Sequence, residues 1–183
     1  MDIIKDNLPE LAKNNYKYME IIMGNKITNN IFDSRINKKK FDIILNNFKK
    51  KLNSSTCNQI KSKNYYVDNV RLNINKTGQQ RCFRMTLLDW KVLNKKQDFL
   101  INFGERQMVS IENFPTLYKY NNEVMREIIS YNIKNKFYLN FICDEINKKL
   151  YYSISLFMTK KNGKSKEILE LISTYLELLE SFN

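Results

Sequence analysis

The chain has 183 residues, 43% of them hydrophobic and 13% aromatic, and its 31 Lys and Arg against 19 Asp and Glu give a net charge of +12. This is too apolar for a disordered chain and long enough for one domain, residues 1–183, with its own core. Histidine is absent, which excludes Ser–His and Cys–His nucleophile pairs and His-ligated zinc, so any catalysis falls to carboxylates, Lys, Tyr or Cys.

From the N-terminus, residues 1–14 carry a weak helical pattern (Ile3, Ile4, Leu8, Leu11) interrupted at Pro9. Tyr16–Met23 alternates as a strand and stops at Gly24-Asn25. A helix is predicted over 37–52, with Phe41, Ile44, Leu45, Phe48 and Leu52 forming one apolar stripe against Lys and Asn. From 63 to 159 the period changes to that of strands. Tyr65–Ile74, a turn at Asn75–Gly78 and Gln80–Thr86 read as a hairpin, and Leu87–Gln97 as a short helix. Strands follow at Phe99–Phe103, Gln107–Glu112, Leu117–Tyr120, Val124–Ile133, Phe137–Ile146 and Leu150–Thr159, with turns at Asn121-Asn122, Lys134-Asn135 and Asn147-Lys148. Links this short make neighbouring strands antiparallel. A helix over 164–182 closes the chain, with Leu169, Ile172, Leu176 and Leu179 buried and Glu167, Glu170, Glu177 and Glu180 as its solvated face. The fold class is α+β: a large antiparallel sheet, closed into a β-barrel, with flanking helices.

No run approaches ~20 apolar residues, so no membrane span is expected. The opening residues, Met-Asp-Ile-Ile-Lys-Asp, lack the plan of a signal peptide. Cys57, Cys82 and Cys143 are widely spaced and odd in number, which fits a reducing compartment and not secretion. There is no phosphate-cradling glycine loop and no dinucleotide fingerprint.

Only six of the 31 basic residues are arginines, and Arg71, Arg81, Arg84, Arg106 and Arg126 fall in strand-like stretches. A Lys- and Asn-rich chain carries the mark of an AT-rich genome, so persisting arginines stand out. Their forked guanidinium suits phosphate. For Arg84, Arg106 and Arg126 two placements stand open: inward, gripping a run of phosphates with Lys134 and Lys136 near one mouth, or outward among water and Glu. The net charge has two readings as well, a polyanion partner or a solvated basic surface. Tyr65, Tyr66, Tyr118, Tyr120, Tyr131, Tyr138, Tyr151 and Tyr152 could stack on bases, but aromatics favour strands in any case.

Histidine-free phosphate chemistry usually works through carboxylates holding a divalent metal, which strands supply as Glu-x-Glu-x-Glu on one face. Here Glu20 stands between Tyr18 and Ile22, and the later strand offers Ser153, Ser155 and Phe157. Glu20 is the one residual catalytic and metal candidate.

Five stretches, in order, carry a resemblance: Tyr18–Gly24, Arg84-Met85-Thr86, Gly104-Glu105-Arg106, Arg126 with Ser130-Tyr131, and Phe137–Ile142 with Asn140. The first looks like a glutamate-bearing strand ended by glycine, the second like an Arg-Val-Ser strand, and the third like a Lys-x-Arg element without its lysine. The fourth looks like a basic strand ending in Ser-Phe, and the fifth like an Asp-Leu-Thr strand with Asn140 in the acid's place. Together they resemble, from about Tyr16 to the last helix, the triphosphate-tunnel RNA 5′-triphosphatases of fungal and large-DNA-virus mRNA capping systems. Those are metal-dependent closed barrels that remove the terminal phosphate of nascent RNA. The resemblance implies a tunnel, phosphate contacts at Arg84, Arg106, Arg126, Lys134 and Lys136, and Mg or Mn if the protein is catalytic.

Ser153–Phe157 stands where the second glutamate strand would lie, so the expectation is a degenerate member. It would bind RNA 5′ phosphates in a capping or transcription assembly with weak or lost hydrolysis. The alternative is a non-enzymatic basic structural or subunit protein, viral in origin and resident in the host cytoplasm or virion, contacting nucleic acid or partner proteins.

Overall fold

The computed structural model describes residues 18–28, 31–51, 57–93, 99–114, 123–159 and 165–182. In chain order they form β1 (Tyr18–Met23), β2 (Asn25–Thr28), β3 (Ile31–Asp33), α1 (Lys38–Lys51), β4 (Cys57–Val67), β5 (Val70–Asn75) and β6 (Gln80–Leu93). Then come β7 (Phe99–Val109), a 3₁₀ turn (Ile111–Asn113), β8 (Glu123–Ile133), β9 (Phe137–Ile146), β10 (Lys149–Thr159) and α2 (Ser165–Phe182). Eight strands close into a barrel in the order β1-β10-β9-β8-β4-β5-β6-β7, and β2 with β3 forms a separate ribbon. Every pairing is antiparallel. The closed antiparallel barrel with flanking helices expected from the sequence is the architecture found.

Alternation along the strands sorts residues onto two faces, and the more apolar face points out. Met19, Ile21 and Met23 of β1, Phe137, Leu139 and Phe141 of β9, and Ile154, Leu156 and Met158 of β10 share one core with α1 and α2. Phe41, Ile44, Leu45 and Phe48 on α1 meet this wall at i, i+3, i+4 and i+7. The inward face is more polar and unevenly covered: inward Asn64 and Ser155 are 0% and 1% exposed, whereas inward Tyr138 is 41% exposed and inward Ile60 46%. The apolar core therefore lies outside the barrel, and polar side chains line its interior. A second, smaller outer core gathers Tyr65, Leu72, Cys82 and Phe114 over β4, β5 and β6.

Helix α1 and strands β8, β9 and β10 lie within a residue of their predicted bounds. Elsewhere the structure corrects the reading. Tyr65–Ile74 is not one strand: Asp68 adopts φ 51°, and a tight turn at Asp68-Asn69 folds the run into β4 and β5. Leu87–Leu93 is not helical but continues β6, paired with β7 from Leu87↔Gly104 to Leu93↔Phe99. Long-range pairing there overrides a weak local pattern. A register shift between Leu87 and Asp89 absorbs one extra residue as a bulge. Phe99–Phe103 and Gln107–Glu112 merge into β7, which runs through Gly104, and 111–112 leave it for the 3₁₀ turn. On α2 the buried stripe is Ile168, Leu171, Ile172 and Tyr175, while Leu169 is 41% exposed. The helix carries apolar residues on both candidate stripes, and the one with tyrosine packs. Gly24 closes β1 where a side chain would run into the Asp33 carbonyl and the Phe32 ring. The predicted elements at 1–14, 117–120 and Leu52 lie outside the described residues.

Candidate functional site

The inward residues of β1 are Tyr18, Glu20 and Ile22, opposite in facing to the buried Met19 and Ile21. Register carries this facing around the barrel. Glu20 sits beside Phe157 of β10 and Asn102 of β7. Ser155 pairs with Asn140, which pairs with Ser130. Arg126 pairs with Asp144 on one side and Ser62 on the other. Tyr66 pairs with Arg71, Arg71 with Phe83, and Met85 with Arg106. Arg71, Arg106 and Arg126, from β5, β7 and β8, thus face one hollow, and Arg81, paired with inward Asn73, shares that facing at the exposed start of β6.

Their surroundings differ. Arg126 forks onto Asp144 through Nε–Oδ1 and Nη2–Oδ2 bonds of 2.7 Å each. Burial works against its charge, but that fork, with Tyr66 and Glu20 beyond it, prevails and raises its pKa above the ordinary arginine value. Arg106 lies among three rings, 5.6 Å from Phe83, 5.6 Å from Phe157 and 5.9 Å from Tyr18. Each ring contact contributes about 0.5–2 kcal/mol, depending on water access. Arg71 also lies over the Phe83 ring, 5.3 Å from its centroid. Its Nε is buried without a hydrogen-bond partner. Burial, then Arg106, pushes its pKa down, opposed by Tyr66.

Glu20 is the carboxylate counterpart. Enclosed by the tunnel wall, it has its pKa raised by burial, against the pull of Ser155, Arg106, Arg126 and Asn102. The Ser155 hydroxyl acts on Glu20 without full hydrogen-bond geometry, for its buried Oγ has no partner. Beside Arg126 the wall is neutral: Asn64 donates to Ser62 at 3.0 Å and accepts from Asn73 at 2.9 Å.

The structure brings Glu20, Arg106 and Arg126 together, and separates the other predicted contacts from them. Arg84 pairs with Val70 and Gln107 on the outer face it shares with buried Cys82. A strand's period of two puts it opposite its neighbours Phe83 and Met85. Lys134 and Lys136, in the β8–β9 turn, pair outside the barrel with Glu177 (2.9 Å) and Glu170 of α2. Two of the four glutamates expected as a solvated face are thus tied to the barrel, and Glu167 carries a buried oxygen without a partner. Arg71 and Tyr66, named from the sequence only as a strand-borne arginine and a possible stacking ring, belong to the site, and Asp144, Tyr18, Phe83 and Phe157 are site residues to which the sequence assigned no role there. Tyr118 and Tyr120 lie outside the described residues.

A divalent metal, implied by the resemblance, does not fit this lining. Among the described residues no three His, Cys, Asp or Glu converge. Asp144 is committed to Arg126, and Glu20 has two guanidiniums near it. Hard cations need several anionic oxygens, and cationic neighbours oppose them. What the arrangement offers is forked donors around a polar interior, a chemistry suited to phosphate oxygens.

No protein-family model matches the sequence, and no curated protein matches it. Among solved structures, the S. pombe RNA triphosphatase Pct1, in complex with the Spt5 CTD, is similar at TM-score 0.75 and 10% identity, over 100% of this chain and 93% of that one. The RNA triphosphatase domain of the trifunctional Mimivirus mRNA capping enzyme is similar at TM-score 0.66 and 10% identity, over 100% and 95%. A second, monoclinic structure of that Mimivirus triphosphatase gives TM-score 0.65 and 10% identity, over 99% and 96%. The chain has the tunnel fold of these RNA triphosphatases.

Proposed function

We propose that this protein binds RNA 5′ phosphates in its tunnel, as part of a capping or transcription assembly, and that its hydrolysis is weak or lost. The observation that carries the reading is the meeting of Arg71, Arg106 and Arg126, on three strands, where Glu20 is, among the described residues, the one inward carboxylate without a forked arginine. Guanidiniums grip phosphate oxygens in pairs. A hydrolase of this architecture needs a metal to order water and neutralise charge, and the lining does not fit one. The tunnel fold shared with RNA triphosphatases supports the 5′ end as ligand, and the Spt5 CTD bound to Pct1 supports a transcription-linked setting.

The test compares RNA ending in a 5′ triphosphate with the same RNA ending in a 5′ hydroxyl, with and without free tripolyphosphate as competitor. Preference for the triphosphate end by about tenfold, erased by the competitor, is expected. Equal binding, untouched by the competitor, would instead assign the RNA to the lysine-rich outer surface, of which α1 carries Lys38, Lys39, Lys40, Lys49, Lys50 and Lys51. Phosphate release with Mg or Mn at roughly 1 per second or faster, abolished by Glu20→Gln, overturns the loss of hydrolysis.

A further inference from the structure

The tunnel's disagreement with a metal has a positive side. The guanidiniums of Arg71 and Arg106 both lie over the Phe83 ring, 5.3 and 5.6 Å from its centroid. Arg71 keeps a buried Nε without a partner, and Arg106 makes ring contacts but no ion pair among the described residues. Arg126 is spoken for by Asp144. Ser155, Asn140 and Asn102 are neutral, so Glu20 has no second acid facing it across these strands.

We propose that the tunnel holds a triphosphate chain without a divalent cation, Arg71 and Arg106 supplying the positive charge and Glu20 opposing the ligand instead of coordinating a metal. The inference rests on the phosphate-binding reading above and concerns the same hollow. Each guanidinium presents several N–H groups in a plane, enough to bridge oxygens of adjacent phosphates. The aromatic faces hold Arg106 in place without using its donors on protein oxygens. A carboxylate among them subtracts attraction for an anion, whereas the same carboxylate holding a metal would add to it. The sign of the Glu20 effect therefore separates the two arrangements.

Titration calorimetry of the full chain with inorganic tripolyphosphate, in EDTA and then in excess Mg, tests this. Binding in EDTA is expected to be as tight as in Mg or tighter, because Mg neutralises the free ligand. Arg106→Gln, and separately Arg71→Gln, should weaken binding about tenfold or more, while far-ultraviolet circular dichroism shows the barrel retained. Arg106→Lys, which keeps the charge and loses the fork, should lie between Arg106→Gln and the native protein. Glu20→Gln should tighten binding several-fold, with a gain that grows as pH rises. Binding that requires Mg or Mn, or that Glu20→Gln weakens, overturns the metal-free proposal and leaves the phosphate-binding reading intact. No binding in either buffer overturns both.

Discussion

Arg126 and Asp144 face each other on adjacent strands of the tunnel wall and close a fork of two 2.7 Å hydrogen bonds, with only 21% and 17% of their side chains exposed. Removing one partner strands the other in a setting that disfavours its charge. Asp144→Asn is expected to lose about 2–4 kcal/mol of stability in urea unfolding. The double variant Arg126→Met with Asp144→Leu should lose less than Asp144→Asn alone. A loss under about 1 kcal/mol would place the pair with ordinary surface ion pairs.

Glu20 gives a pH signature with a definite sign. Its folded pKa lies above the ordinary value of 4.5, because burial disfavours the charged form. The folded chain therefore holds this proton more tightly than the unfolded chain. Stability falls as pH rises from 4.5 through the folded value, and the full cost is present above it. Glu20→Gln should raise Tm by roughly 2–4 °C at neutral pH, with the difference closing below pH 4.5. A difference independent of pH would mean that the carboxyl is well hydrated.

Phe141 joins the barrel to α1. It is 1% exposed, and its ring lies 5.7 Å from Phe41, 6.0 Å from Phe48 and 6.0 Å from Tyr131. Phe141→Ala removes the centre of that aromatic group and should cost about 3–5 kcal/mol in chemical denaturation. A cost near 1 kcal/mol would show that α1 leaves this wall in solution.

The cations outside the tunnel serve as the opposite control. Lys134 and Lys136 reach Glu177 and Glu170, and Arg84 lies on the outer face. Changing all three to Gln should leave tripolyphosphate affinity within about twofold and lower stability by less than about 1 kcal/mol per ion pair. A tenfold loss of affinity would return these residues to the ligand's path.

The barrel was legible because its later strands alternate cleanly and are joined by short turns. Lys134-Asn135 and Asn147-Lys148 all take positive φ, between 51° and 64°, as tight hairpins require. The site was legible in its chemistry and only partly in its geometry. Glu20, Arg106 and Arg126 could be picked as a lone acid and as strand-borne arginines, and register then put them together. Arg84 was lost to parity, since nothing local in the sequence says which face of β6 turns inward. Arg71 was passed over because the Asp68-Asn69 turn hides in a run that alternates on both sides of it. Asp144 becomes a partner only through the β8–β9 register, a relation 18 residues apart in the chain. The side of α2 that packs was equally hidden, because two adjacent stripes are apolar.

The two helices brace the wall unevenly. Strands β1, β9 and β10 back onto the large core with α1 and α2, while among the described residues β5 has behind it the small group around Leu72, Cys82 and Phe114. Amide hydrogens should exchange first along β5 and the facing part of β6, and last along β9 and β10. Arg71 hangs from that lightly braced side. The staves expected to part first are thus the ones that carry the guanidinium with an open donor.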